Sequence, residues 1–194
     1  MKIAITGGIG SGKSAVAEVA RRKGYCVASC DETYAKLCRS EDFLKDLRKL
    51  FPDAVKEDPP RLDRKILANT VFSSDEKRAA LNAFAHPRIF RAMEEETRGE
   101  KIAFYEVPLL FESGTESLFD EVIVVIREKK ERINSVMERS RLTREQVLAR
   151  MRSQIDYESR NFDGCHVLIN DGNLAALEEK AGKLIDALAG GSRE

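Results

Sequence analysis

Residues 7–14 read Gly7-Gly8-Ile9-Gly10-Ser11-Gly12-Lys13-Ser14, and this run constrains the chain more than any other feature. Before it stands Lys2-Ile3-Ala4-Ile5-Thr6, a β-branched run that reads as a short buried strand. After it, from about Lys13 to Lys23, Val16, Val19 and Ala20 recur at helical spacing, and Gly24 closes the helix. A strand that passes through G-x-x-x-x-G-K-[ST] into a helix is suited to holding phosphate. The glycines let successive backbone N–H groups turn inward, and the helix adds the positive end of its dipole. Lys13 can reach β- and γ-phosphates, and the Ser14 hydroxyl can ligate a bridging Mg²⁺. Candidate nucleotide-binding residues are therefore Gly8, Ile9, Gly10, Ser11, Gly12, Lys13, Ser14 and Ala15. A glycine-rich turn with a chance Lys-Ser is the competing reading, and the flanking strand and helix speak against it.

Further strand signals fall at Tyr25–Ser29, Lys101–Glu106, Glu121–Ile126 and His166–Ile169. Helical patterns fill the intervals. One runs from about Glu128 to Arg139, and another starts at the capping box Thr143-Arg144-Glu145-Gln146 and continues towards Gln154. A last helix carries Leu174, Leu177, Ala181, Leu184 and Leu188 on one face and ends at Gly190-Gly191. Short apolar strands alternating with helices predict a three-layer α/β/α fold around a mainly parallel five-stranded sheet. The interval from Glu32 to about Arg98 is helical and charged, broken at Phe51-Pro52 and Asp58-Pro59-Pro60, and too long for a simple crossover. The expected organisation is one domain. Its core is at about 1–31, 99–127 and 163–194, with a helical insertion at about 32–98 and a lid at about 128–162.

Basic and acidic residues balance at 33 each, which weighs against a nucleic-acid-coating protein. The longest apolar runs, such as Val122–Ile126, are far below the roughly 18 residues of a membrane helix. The strand starting at Lys2 leaves no room for a secretory signal, so a soluble cytoplasmic protein is expected, a monomer or small homo-oligomer. Cys26, Cys30, Cys38 and Cys165 form no C-x-x-C pair, and neither His86 nor His166 stands at metal spacing from them. They read as reduced structural thiols.

A phosphate loop does not say what happens to the phosphate. Asp-x-x-Gly and Asn-Lys-x-Asp, the marks of a GTPase switch, are missing, as is the Leu-Ser-Gly-Gly signature of a transport ATPase. A small kinase remains, which needs a carboxylate at the acceptor hydroxyl, cations for the phosphoryl oxygens, and a lid. Asp31, just beyond the second strand, is the best carboxylate, with helix N-cap as its bland alternative. Glu106 could instead orient a metal-bound water. Residues 127–160 hold ten Lys/Arg against six Asp/Glu, about +4 in a neutral chain. A solvated face would look the same, but Arg139, Arg141 and Arg150 are candidate lid arginines.

These residues resemble the dephospho-coenzyme A kinase family. The likeness runs from Thr6 through the loop, then Leu62-Asp63-Arg64-Lys65-Ile66-Leu67, Val71-Phe72, His86-Pro87-Arg88-Ile89 and Val107-Pro108-Leu109-Leu110-Phe111-Glu112. It continues through Arg139 with Thr143, Arg150 with Gln154, and Ile169-Asn170, so it covers nearly the whole chain in order. The resemblance implies ATP-dependent phosphorylation of the ribose 3′-hydroxyl of dephospho-coenzyme A, the last step in making coenzyme A. By position it implies Asp31 as general base, and Arg64, His86, Pro108 and Leu109 at the acceptor. It further implies Arg139 as a lid arginine and Asn170 near the adenine. The sequence departs from the family pattern at Ser29-Cys30-Asp31, where one of two aspartates is missing, and at Ser135, where an arginine is common. It departs again at Gly164-Cys165, where Ala-Asp is common. His86 also has a bland reading, a residue held extended before Pro87 and bonded to a backbone carbonyl. Pro108-Leu109-Leu110 could equally be a strand exit packed on the core.

Two other functions keep the loop but change its use. A nucleoside or nucleoside monophosphate kinase would transfer to a different acceptor. A regulatory or assembly module would bind nucleotide without any acceptor-dependent ADP.

Overall fold

The computed structural model describes residues 1–191; residues 192–194 of the expected core range lie outside the described residues. In chain order the elements are β1 (Lys2–Thr6), α1 (Lys13–Arg22), β2 (Cys26–Ser29), α2 (Cys30–Leu37), α3 (Glu41–Leu50), β3 (Val55–Lys56) and β4 (Arg61–Leu62). There follow α4 (Arg64–Phe72), α5 (Asp75–Glu96), β5 (Ala103–Glu106), β6 (Glu121–Ile126), α6 (Lys129–Ser140), α7 (Arg144–Met151), β7 (His166–Ile169) and α8 (Leu174–Gly190). The main sheet is five-stranded in the order β2-β5-β1-β6-β7. β1 runs parallel to both β5 and β6, with Ile5 opposite Glu106 and Ile123, and β6 runs parallel to β7. This is the three-layer α/β/α fold that the strand spacing predicts.

The chain divides into two compact units, Met1–Ala28 with the residues from Gly99 onward, and Ser29–Arg98. In the first, the alternation along β1 sends Ile3 and Ile5 to one face. There they join Val16 and Ala20 of α1, Phe104, Ile123, Val125, and Leu177, Ala181 and Ile185 of α8 in one core. A smaller cluster of Ile133, Val136 and Val147 joins α6 to α7, and the loop residue Ile9 packs against it. The Thr143 capping box forms as read: the Thr143 hydroxyl accepts from the Gln146 N–H, and the Gln146 side chain accepts from the Thr143 N–H.

The second unit is helical, with a two-residue antiparallel hairpin of β3 and β4. His86 is not extended: it lies inside α5, which continues through Pro87. The proline removes one N–H from the ladder. Nearby, the Phe84 carbonyl accepts from the Arg88 guanidinium at 2.9 Å, and that guanidinium sits 4.0 Å over the Phe84 ring. The buried stripe Phe84, Ala85, Ile89 and Met93 carries the helix across the proline. Asp31 is also not a helix cap, since Ser29 holds the N-cap of α2 and Asp31 lies within its first turn.

Candidate active site

The chain leaves β1 at Thr6 and enters α1 at Lys13, so the phosphate loop lies at the carboxyl end of a central strand. Gly12 takes a left-handed conformation, φ +109°, and a Cβ there would lie 2.8 Å from Leu177 and 2.9 Å from Asn170. Glycine is thus required by both backbone and space. As the N-cap residue it offers no side chain, so the first amides of α1 have no side-chain cap. An uncapped helix start next to a tight glycine loop is an anion site by its partial charges.

The side chains around the loop are held from several elements. The Lys13 ammonium donates to the Gly7 carbonyl at 2.8 Å and to Gly8 at 3.2 Å. The Ser14 hydroxyl donates to Glu106 Oε1 at 2.6 Å, at the end of β5. Asn170, after β7, donates through Nδ2 to the Ser11 carbonyl at 2.8 Å, so what its side chain touches is the loop itself. Ile9 N–H donates to Gln154 Oε1 at 2.8 Å.

The turn after β5 is tied to the segment after α7, because Glu112 accepts from the Ile155 N–H at 2.9 Å. Pro108 is half-buried in this turn and Leu109 is 38% exposed, while Leu110 is the one fully inside. Leu109 is therefore not core packing. Tyr157 stacks on Phe162, and burial pushes its phenol up to about 12.

No sequence motif marks Arg132. This side chain of α6 is only 6% exposed, and its guanidinium rests on Gly8, where a Cβ would overlap Nη1. Its signal was its place on the apolar stripe of α6, one residue before Ile133 and four before Val136. Arg139 stands two turns further along the same face, exposed in the last turn, and Arg141 and Arg150 are exposed too. Ser135 accepts from Arg127 at 2.7 Å.

Asp31, Arg64 and His86 belong to the second unit. Asp31 is exposed. Arg64, the first residue of α4, lies close enough to Tyr34 of α2 and to Cys38, that helix's C-cap, to favour their ionised forms, though burial dominates and raises both groups. His86 is half-buried, and loss of water pushes its imidazole below the usual value.

A phosphate loop of this build, in a sheet of this strand order, places the chain among the P-loop kinases. The dephospho-CoA kinase family model (CoaE) matches residues 1–176, and the chain belongs to that family. A dephospho-CoA kinase from Thermus thermophilus is 42% identical over 193 residues, 98% of this chain and 93% of that one. A crystal structure from Thermus thermophilus superposes with a TM-score of 0.83 at 43% identity, covering 97% of each chain. A dephospho-CoA kinase from Campylobacter jejuni gives a TM-score of 0.72 at 30% identity, covering 98% of this chain and 99% of that one. The family phosphorylates dephospho-coenzyme A with ATP in the final step of coenzyme A biosynthesis, and that is the reaction of this chain. Among the described residues no helix is long and apolar enough to cross a membrane.

Proposed function

We propose a division of labour for phosphorylation of the ribose 3′-hydroxyl. The loop of Gly8, Ile9, Gly10, Ser11, Gly12, Lys13, Ser14 and Ala15 holds the ATP phosphates, through backbone N–H groups other than that of Ile9, which Gln154 takes, and Lys13 neutralises charge at the β/γ junction. Ser14 Oγ and Glu106 Oε1, two hard oxygens 2.6 Å apart, suit a hydrated Mg²⁺. Bound there, Mg²⁺ would supply charge neutralisation at the phosphates. Among the described residues no group of three or more His, Cys, Asp or Glu could hold a metal ion.

Asp31 accepts the proton of the 3′-hydroxyl as that oxygen bonds to the γ-phosphorus, and the bridging P–O bond breaks to leave ADP. Arg64, His86, Pro108 and Leu109 line the acceptor, with residues 32–98 as the acceptor-binding insertion. Residues 128–162 form the lid, and Arg139 meets the transferring group. Asn170 supports the nucleotide end through its bond to Ser11. The observation that carries this reading is the Ser14–Glu106 pair, which joins the phosphate-loop serine to a strand-end carboxylate. The test is a panel of acceptors with Mg-ATP, read as ADP formed. ADP that appears only with dephospho-coenzyme A supports it. Preference for a nucleoside, or nucleotide binding without acceptor-dependent ADP, overturns it.

A further inference from the structure

Arg132 is a buried cation without an adequate anion. Its Nε is sealed from solvent and has no hydrogen-bond partner among the described residues. Its ion pair with Glu158 is long, 3.5 Å, where a charge-assisted bond is typically about 2.7–2.9 Å. Glu158 is itself 40% exposed, so water screens that charge. Burying a guanidinium on such terms is unfavourable unless another anion completes its donors.

Its neighbours indicate which anion. The guanidinium lies on Gly8, and the main chain of Arg132 closes on Gly10, where a Cβ would stand 2.7 Å from the Arg132 carbonyl oxygen. Lys13 Nζ bonds the Gly8 carbonyl at 3.2 Å, so two cations meet at one loop residue. Negative charge placed between two cations that converge on the same loop residue is favourable to both. The amides at the start of α1 serve the α- and β-phosphates, whereas the loop lysine reaches the β/γ end. Arg132 shares the lysine's end of the loop. The ligand is therefore the terminal phosphoryl group of a nucleoside triphosphate.

We infer that Arg132 is a catalytic residue, donating from α6 to the γ-phosphoryl oxygens and drawing off the charge that spreads over them during transfer. This rests on the phosphate-loop reading above. Lys13 is compact and strongly hydrated; the planar fork of Arg132 offers paired donors to two oxygens at once.

The test uses Arg132→Gln and Arg132→Lys in the full chain. It measures kcat at saturating substrates, and the calorimetric Kd of ADP and of a non-hydrolysable ATP analogue. Expected are a fall in kcat of about 10²-fold or more for Gln and about tenfold for Lys. Analogue affinity should drop about tenfold while ADP affinity stays within about threefold. Equal losses for ADP and the analogue, or kcat within about threefold of wild type, overturn the assignment and leave Arg132 as a packing residue. If Arg132→Gln does not fold, the same two comparisons are decided with Arg132→Lys. Should the wild type turn over no dephospho-coenzyme A, the acceptor assignment fails, but the ADP and analogue comparison still decides Arg132.

Discussion

Ser14 Oγ donates to Glu106 Oε1 at 2.6 Å, linking the second residue of α1 to the last residue of β5. Replacing Glu106 by Gln keeps the size but halves the oxygen donors and removes the charge. The Mg²⁺ concentration for half-maximal activity should rise about tenfold, read by titrating Mg²⁺ at fixed ATP. An unshifted titration would separate Glu106 from the metal.

Lys13→Ala should nearly abolish turnover, because the compact ammonium at the β/γ junction is lost. The side chain bonds two loop carbonyls but fills no core, so the melting temperature should move by only a few degrees. Turnover within about threefold of wild type would sink the phosphate-loop reading.

Asp31→Asn preserves shape and some hydrogen bonding while removing the negative charge. Ser29 stands at the N-cap of α2 without a side-chain cap bond, and the exposed Asp31 carboxylate in the first turn contributes to the helix start only through the dipole, about 0.3–1 kcal/mol. We expect kcat to fall by at least about 10²-fold, roughly 2.7 kcal/mol of barrier, with ATP affinity and melting temperature nearly unchanged. A variant that melts much lower yet keeps its turnover per folded molecule would send the search for the base to Glu106.

Arg139→Lys keeps the charge but loses the fork. A transition-state contact would show as a loss mainly in kcat. An effect confined to KM for ATP would reduce Arg139 to nucleotide binding, and no effect would return it to the exposed surface it occupies in α6.

Burial lowers the His86 pKa in the fold, whereas the unfolded chain takes up that proton near the ordinary value of about 6.5. Below that pH the unfolded state therefore binds more protons, and the stabilisation present above it is lost as pH falls through the folded value. Between pH about 7 and 5.5, wild type should lose more melting temperature than His86→Gln. Parallel profiles would show that His86 contributes nothing to the slope.

Most of the first unit was legible because its strands are abrupt β-branched runs: β1, β6 and β7 begin and end where Lys2–Thr6, Glu121–Ile126 and His166–Ile169 predict. The hairpin of β3 and β4 was not, since two residues per strand are too few for alternation to register. Pro87 misled for a different reason. A proline inside a helix costs about 3 kcal/mol, but burial of Phe84, Ile89 and Met93 on one stripe outweighs it. In the site, the loop motif was legible down to Ser14. Arg132 was hidden among basic neighbours, and its burial together with its position over Gly8 distinguishes it from a solvated face.

The Lys13 ammonium is held by carbonyls of the loop it serves, so its four-carbon stem is ordered by the fold itself. Pinning a free lysine surrenders up to about 2 kcal/mol of rotamer entropy. Here that loss belongs to folding and not to association, so it does not weaken nucleotide capture. The loop should therefore take its ligand as a rigid cradle, with little side-chain ordering left to subtract from the affinity.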